Sequence, residues 1–97
     1  MARVVWTPQA RADLAAIEDY YLGVAPEYAD LVVDGLLGST RRLEAFPLSG
    51  RAVPEIADPA IREVVWRAYR VVYWADEERV EVLSVLHTSR QFGAGSD

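Results

Sequence analysis

The residues best suited to chemistry in this sequence lie near its carboxyl end. The stretch LSVLHTSRQF, residues 83–92, contains the only histidine, His87, and an arginine three positions later, Arg90. An imidazole titrates near neutral pH and can act as a general acid or base, and a guanidinium binds phosphate. The pair could therefore belong to a nuclease site. It could equally be the solvent-exposed end of a strand, because an apolar run gives way to polar residues here.

The composition excludes several other kinds of site. The chain has 97 residues, no cysteine and one histidine, so neither a disulfide, a thiolate nucleophile nor the usual zinc site of nitrogen and sulfur ligands can form. We expect no metal and no cofactor. The sequence opens without a signal-peptide pattern, and no apolar run reaches about 18 residues, which predicts a cytoplasmic protein without membrane contact.

The charge balance bears on nucleic-acid binding. All ten basic residues are arginine, against fifteen carboxylates, and the net charge is −5. An acidic surface repels a phosphate backbone, whereas proteins that bind nucleic acid on their own usually carry a basic face. The charge therefore argues against autonomous binding of DNA or RNA, although a local arginine cluster could still bind phosphate.

The first elements follow from apolar spacing and capping residues. A β-branched and aromatic run predicts a strand over residues 3–6. Thr7 and Pro8 then suit the N-cap and the first turn of a helix. Apolar residues recur at spacings of four, three and four inside it, which predicts an amphipathic helix over residues 8–22 that stops at Gly23.

A second helix, a loop and a run of strands complete the chain. Pro26 suits a first helical turn, and a broad apolar face predicts a helix over residues 26–46 that is antiparallel to the first. Three prolines and no periodic pattern indicate a loop over residues 47–60. From there the residues favour strands, and we predict strands over 61–67, 69–75 and 79–87, followed by a frayed tail over 88–97.

These elements predict one α+β domain over residues 1–97 with the order β-α-α-β-β-β. The helix hairpin would pack on one face of a small, mainly antiparallel sheet of about four strands. The other face of the sheet would then be left open to a substrate or to a partner protein, and the residues alone do not choose between the two.

Four motifs occur in order along the chain: W-T-x-x-A-x-x-D-L from Trp6, P-x-x-G-R-x-V-P-E from Pro47, Y-R-V-V-Y from Tyr69 and V-L-x-V-x-H from Val82. Together they resemble the RelE/ParE superfamily, the toxins of bacterial type II toxin–antitoxin systems, and the first two look more like its ParE branch. The resemblance implies the same β-α-α-β-β-β fold. It also implies a small cognate antitoxin that wraps around the toxin and neutralises it, with DNA bound only indirectly, through the antitoxin.

Two activities are compatible with this resemblance. RelE-like members cleave messenger RNA on the ribosome, and ParE-like members are associated with inhibition of DNA gyrase. In a nuclease of the family Arg70 would stabilise the phosphorane charge, and Arg62 and His87 are weaker catalytic candidates. The chain has no lysine, and Phe92 stands where a tyrosine would transfer a proton. The sequence therefore favours a gyrase inhibitor without enzymatic activity, with a ribosome-dependent endoribonuclease or a non-toxic antitoxin-binding module as the alternatives.

Four residues are candidates for contact with the antitoxin: Arg70, Arg90, Tyr73 and Trp74. For Arg70 the alternative is an ion pair with Glu63 or Glu81 inside the protein, and for the two aromatic residues it is packing within the sheet. Hydrophobic residues make up 52% of the sequence, more than a small core hides. We expect the antitoxin to cover the outer side of the helix hairpin and the open sheet face by apolar burial, with little effect of salt.

Overall fold

The computed structural model describes residues 1–93 and confirms the α+β class and the β-α-α-β-β-β layout. The elements are β1 (Arg3–Trp6), α1 (Pro8–Val24), α2 (Pro26–Ala45), β2 (Arg51–Ala52), β3 (Ile61–Trp66), β4 (Tyr69–Ala75) and β5 (Arg79–His87). β2 is a two-residue strand inside the expected loop, and it gives the sheet five strands in place of about four. Residues 94–97 of the expected tail lie outside the described residues.

The five strands form one mixed sheet in the order β1-β5-β4-β3-β2. β1 runs parallel to β5, with Arg3 opposite Arg79 and Trp6 opposite Val82. All other neighbouring strands are antiparallel. A parallel pair requires a long connection, and here that connection contains both helices and the other three strands. The first and the last strand of the sheet are therefore side by side.

Two element boundaries differ from the sequence prediction for identifiable reasons. α1 continues through Gly23 to Val24, and only Ala25 separates it from α2. Ala25 leaves the helical region, with φ −156° and ψ 74°, because the ring of Pro26 disfavours a helical conformation of the residue before it. β3 ends before Arg67, whose φ of 53° belongs to a tight turn and not to a strand. The ends of the remaining elements lie within one residue of the predicted bounds.

Thr7 joins the start of α1 to the sheet. Its Oγ1 accepts a hydrogen bond from Ala10 N–H at 3.2 Å, as an N-cap does, and donates one to the carbonyl of Val82 in β5 at 2.8 Å. The same hydroxyl thus satisfies a free N–H of the first helical turn and fixes that turn against the centre of the sheet.

The core lies between the helices and one face of the sheet. It contains two buried clusters: Ala10, Val32, Leu36, Val71, Val82 and Val85 form one, and Ala2, Leu43, Tyr73, Ala75 and Val80 form the other. Full burial of one Val or Leu side chain stabilises the fold by about 1.5–3 kcal/mol. Gly35 contributes through its lack of a side chain, because a Cβ there would overlap the Trp66 indole. This glycine allows β3 to approach α2 closely.

The opposite face of the sheet is not open in the way the sequence suggested. Glu63 and Arg70 lie on it, because they alternate with Val64 and Val71, which pack toward the helices. Glu55 of the loop before β3 and the backbone carbonyl of Arg90 after β5 both bond to the Arg70 side chain, and the N–H of Phe92 bonds to Glu55. Within the predicted tail, the backbones of Thr88, Arg90 and Phe92 therefore make specific hydrogen bonds.

Candidate functional site

Arg70 is the centre of a buried charge network on this second face of the sheet. The residue lies in the middle strand, β4, and only 6% of its surface is exposed. Its Nε donates a hydrogen bond to Glu63 Oε1 at 2.7 Å. Its two terminal nitrogens donate to both carboxylate oxygens of Glu55, at 2.7 and 2.9 Å. This bidentate pair is among the strongest ionic contacts that proteins make.

The network also holds the segment after β5. Arg70 Nη1 donates to the carbonyl oxygen of Arg90 at 2.7 Å, and the N–H of Phe92 donates to Glu55 Oε2 at 2.8 Å. Arg51 Nε donates to the second oxygen of Glu63 at 2.7 Å. One guanidinium and two carboxylates thus connect the loop, β2, β3, β4 and the end of the chain's last strand.

The proton affinities of these groups follow from the contacts. The hydrogen bonds from Arg70 are the main reason that the pKa of Glu55 falls from 4.5 to about 2, against the opposing effect of burial. The hydrogen bond to Glu55 is in turn the main reason that the pKa of Arg70 rises. Both groups are therefore charged throughout the physiological range, and each neutralises the other.

Of the two alternatives for Arg70, the ion pair with Glu63 is present, whereas Glu81 pairs with Arg79 instead. The second partner, Glu55, was missed in the sequence, where it appeared only as the last residue of the P-x-x-G-R-x-V-P-E motif. A single carboxylate after an apolar Val-Pro pair is only a weak indication of a buried ion pair. Sequence spacing gives no indication that residues 55 and 70 meet.

The structure does not bring His87 to Arg70. His87 is exposed at the end of β5, opposite Tyr69, and therefore belongs to the helix-side register of the sheet. Its Nδ1 lies 2.8 Å from Ser89 Oγ and accepts the N–H of Ser89 at 3.1 Å. Its ring packs edge-to-face on that of Tyr69, with centroids 6.0 Å apart. No carboxylate among residues 1–93 pairs with it, so nothing orients it as a general base.

The other predicted site residues have structural contacts. Arg62 donates to the backbone carbonyls of Leu48 and Gly50, each at 3.0 Å, and so fixes the loop. Tyr73 is fully buried, and its hydroxyl accepts the Gly50 N–H at 2.8 Å. This corrects the expectation that Tyr73 contacts a partner, because a core ring presents no surface to one.

Two of the predicted partner contacts remain accessible. Trp74 is half-buried in β4. The side chain of Arg90 is exposed, although its backbone carbonyl belongs to the Arg70 network. The described residues contain no cluster of three His, Cys, Asp or Glu side chains placed to hold a metal ion. Within the same residues, none of the helices is long and apolar enough to cross a membrane.

Comparison with known proteins assigns the family. The model of the ParE toxin of the type II toxin–antitoxin system parDE matches residues 4–92, and the chain belongs to this family of RelE/ParE superfamily toxins. It is 34% identical over 91 residues to toxin RelE2 of Caulobacter vibrioides, an alignment that covers 93% of this chain and 99% of that protein.

Two solved structures share the fold. The chain is similar to a protein of the chromosomal ParDE toxin–antitoxin system of P. aeruginosa, with a TM-score of 0.75, 23% identity and coverage of 90% of this chain and 96% of that one. It is also similar to a chain of the RelBE2 toxin–antitoxin complex of Mycobacterium tuberculosis, with a TM-score of 0.56, 24% identity and coverage of 89% and 96%. The family match and the 34% identity to toxin RelE2 show that the protein is a toxin of a type II toxin–antitoxin system.

Proposed function

We propose that this toxin inhibits DNA gyrase without cleaving nucleic acid, and that a small cognate antitoxin neutralises it. The observation that carries the proposal is the state of Arg70. Its guanidinium is occupied by two carboxylates and a carbonyl oxygen, and so has no free donor face for a phosphate.

The surroundings of Arg70 support the same conclusion. Phosphodiester cleavage requires cations that converge on the phosphorane, together with a positioned base and acid. Arg62 is committed to backbone carbonyls and Arg51 to Glu63. Glu55 and Glu63 would repel a phosphate brought to this face. The match to the ParE family model agrees with an inhibitor, since ParE-like toxins are associated with gyrase.

A ribosome-dependent endoribonuclease is the second candidate. It is favoured by the 34% identity to a toxin named RelE2 and by one accessible histidine, His87. For this activity the carboxylates would have to release Arg70 when RNA binds. That step separates two strong ion pairs, which opposes RNA binding.

The experiment expresses the toxin alone and compares gyrase supercoiling with messenger cleavage on translating ribosomes. We expect blocked supercoiling and intact messages. His87→Ala should leave the inhibition unchanged, and Ser89→Ala, which removes the hydroxyl that faces the same imidazole, serves as its matched control. Codon-specific cleavage that His87→Ala abolishes would overturn the proposal. If neither supercoiling nor messenger cleavage responds to the toxin, the protein would instead be a non-toxic module that binds the antitoxin.

The antitoxin is tested separately. We expect a short reading frame beside the toxin gene, whose product restores growth and copurifies with the toxin. An isolated gene, or growth that continues normally when the toxin is induced alone, would contradict the assignment of a neutralised toxin.

A further inference from the structure

β5 extends past the end of β1, its neighbour in the sheet. The parallel pairing stops where Trp6 lies opposite Val82, and the chain then leaves the sheet to form α1. Residues 83–87 of β5 therefore have no strand beside them on that side within the described chain. Backbone groups at such a place need another partner, because buried N–H and C=O groups are nearly always hydrogen-bonded.

The direction of the backbone identifies the groups at this edge. The N–H of Thr88 donates to the carbonyl of Ala68 at 2.8 Å, on the side of β4. Successive residues of an antiparallel strand direct their backbone groups to alternate sides, so those of Val85 and His87 point away from β4. The N–H of Val85 confirms this direction, because it donates to a carboxylate oxygen of Asp13 in α1 at 2.9 Å.

Two backbone groups remain at the edge, the carbonyl of Val85 and the N–H of His87, here called the free pair. Asp13 occupies the position before them, and the N–H of Arg90 occupies the position after them, because it donates to the carbonyl of His87 at 2.9 Å. No hydrogen bond found within residues 1–93 includes either member of the free pair.

The length of the free pair decides what kind of ligand fits it. A peptide that adds to a sheet edge uses a row of backbone groups, and here both ends of the row are occupied. One acceptor and one donor on neighbouring positions are what a single residue of a parallel strand would bond to. A flat heterocycle with a donor beside an acceptor makes the same two bonds, and the Watson–Crick edge of a nucleobase has this arrangement.

The free pair lies in a surface cleft of about 1080 Å³, a volume comparable with that of small-molecule sites. One wall is the side of α1 that carries Ile17, Tyr20 and Tyr21, and the segment after β5 contributes Phe92. Tyr20 is 61% exposed although it is a large aromatic residue. Aromatic and aliphatic walls of this kind hold flat rings by stacking.

The charge of the cleft suits an anionic group. Arg90 lines the cleft and is exposed, and none of the ion pairs found among residues 1–93 includes it. Among the described residues that line the cleft, Asp13 is the only carboxylate, and its Oδ2 already accepts hydrogen bonds from Ser84 and Val85. Burial raises the pKa of Tyr69 to about 12, so this phenol stays neutral and does not repel an anion.

We propose that this cleft binds one nucleotide, whose base pairs with the backbone of Val85 and His87 and whose phosphate pairs with Arg90. For adenine, the exocyclic amino group would donate to the carbonyl of Val85, and the ring nitrogen beside it would accept from the N–H of His87. The nucleotide would be free or would be an unpaired position of a strand, since both present the same base edge and phosphate. The site is separate from the Arg70 guanidinium and does not depend on the identity of the toxin's target.

The test titrates the purified, ¹⁵N-labelled toxin with AMP and follows the amide resonance of His87 by NMR. The matched ligand is etheno-AMP, in which a bridge across the base edge blocks both the donor and the acceptor but leaves the ring, ribose and phosphate. The variant Arg90→Ala removes the phosphate partner. Its matched control is Arg41→Ala, which removes an exposed arginine of α2 outside the cleft.

We expect AMP to shift the His87 amide resonance, and etheno-AMP to bind at least about tenfold more weakly. Arg90→Ala should weaken AMP binding about fivefold to tenfold, and Arg41→Ala should change it by less than about twofold. Phe92→Ala should weaken AMP and etheno-AMP alike, about tenfold, because stacking does not depend on the base edge.

Equal affinities for AMP and etheno-AMP, or an unmoved His87 amide at saturating AMP, would overturn the inference. A single-stranded oligodeoxyadenylate separates the two sources of the ligand. If it shifts the same amide and binds at least as tightly as AMP, the ligand is a strand, and if only AMP does so, the ligand is a free nucleotide. A toxin that leaves gyrase supercoiling intact would contradict the proposed function and would leave this inference standing, because the two experiments share neither ligand nor readout.

Discussion

The second face of the sheet and the outer side of α2 use charge in opposite ways. At the sheet, Arg70 and Glu63 are buried, Glu55 is half-buried, and both glutamates are bonded to Arg70. On α2, three carboxylates are exposed and have no ion-pair partner within residues 1–93. A charge that is neutralised within the protein contributes to folding and offers little to a ligand, whereas an unpaired charge on an apolar surface can select a partner. Residue type alone does not separate the two cases.

Removal of Arg70 should have the largest effect on the sheet side of this comparison. Arg70→Ala leaves Glu63 buried beside a cavity and Glu55 without its main partner, and loss of one member of a buried pair costs about 3–5 kcal/mol. Urea unfolding followed by circular dichroism measures the change. Arg79→Ala breaks an exposed pair with Glu81 and should cost less than about 1 kcal/mol. Similar values for both variants would show that the Arg70 network does not stabilise the fold.

Two glycines on α2 should respond in opposite directions to the same substitution. Gly35→Ala brings a Cβ into the Trp66 indole and should destabilise the protein by about 1–3 kcal/mol through overpacking. Gly38→Ala meets open space and should stabilise it by about 0.5–1 kcal/mol, as alanine does inside a helix. Thermal unfolding of the pair measures both. Stabilisation by both substitutions would show that Gly35 does not limit the approach of β3 to α2.

The loss of unfolding free energy at low pH should come mainly from Glu55. Its pKa is about 2 in the folded protein and 4.5 as the reference for the unfolded chain. Its contribution is therefore complete above pH 4.5 and is lost as the pH falls through about 2. As the pH is lowered from 4.5 to about 2, the unfolding free energy of the wild type should fall, and that of Glu55→Gln should fall less. Parallel curves for the two proteins would place the acid sensitivity elsewhere.

The smallest expected effect is on the exposed carboxylates of α2, Glu27, Asp30 and Asp34. Asp30 and Asp34 are four residues apart on α2, and like charges at this spacing destabilise a helix by about 0.2–0.5 kcal/mol. Asp34→Asn should therefore raise the unfolding free energy slightly at low salt, with Glu77→Gln unchanged as the control. A loss of stability in Asp34→Asn would mean that Asp34 makes a structural contact.

The sequence predicted the strands well where β-branched residues are frequent, as at Val71 and Val72 in β4 and at Val80, Val82 and Val85 in β5. It placed the end of α1 at Gly23, whereas the steric effect of Pro26 on Ala25 determines that end. Gly23 and Pro26 both indicate the end of a helix, and the effect of Pro26 on the residue before it is the stronger of the two.

The candidate site was predictable only in part. Arg70 and Glu63 lie on the same face of neighbouring strands, diagonal to one another in the register, so their pairing follows from strand alternation in a meander. Glu55 comes from an aperiodic loop, and nothing in the local sequence determines where such a loop folds back. The excess of carboxylates on the helices could have been found from sequence alone, because residues 12–40 contain six carboxylates and no arginine.

Because β1 pairs with β5, the sheet can be completed only late in the synthesis of the chain. Residues 3–6 are made first and can form their sheet hydrogen bonds only with residues 79–82, which emerge from the ribosome much later. Such a long separation between contacting residues slows folding and delays it until most of the chain has been translated. A nascent chain that stops before residue 79 lacks β5, which pairs with β1 and accepts the hydrogen bond of the Thr7 hydroxyl. Prematurely terminated copies of the toxin are therefore expected to be unfolded and harmless to the cell that makes them.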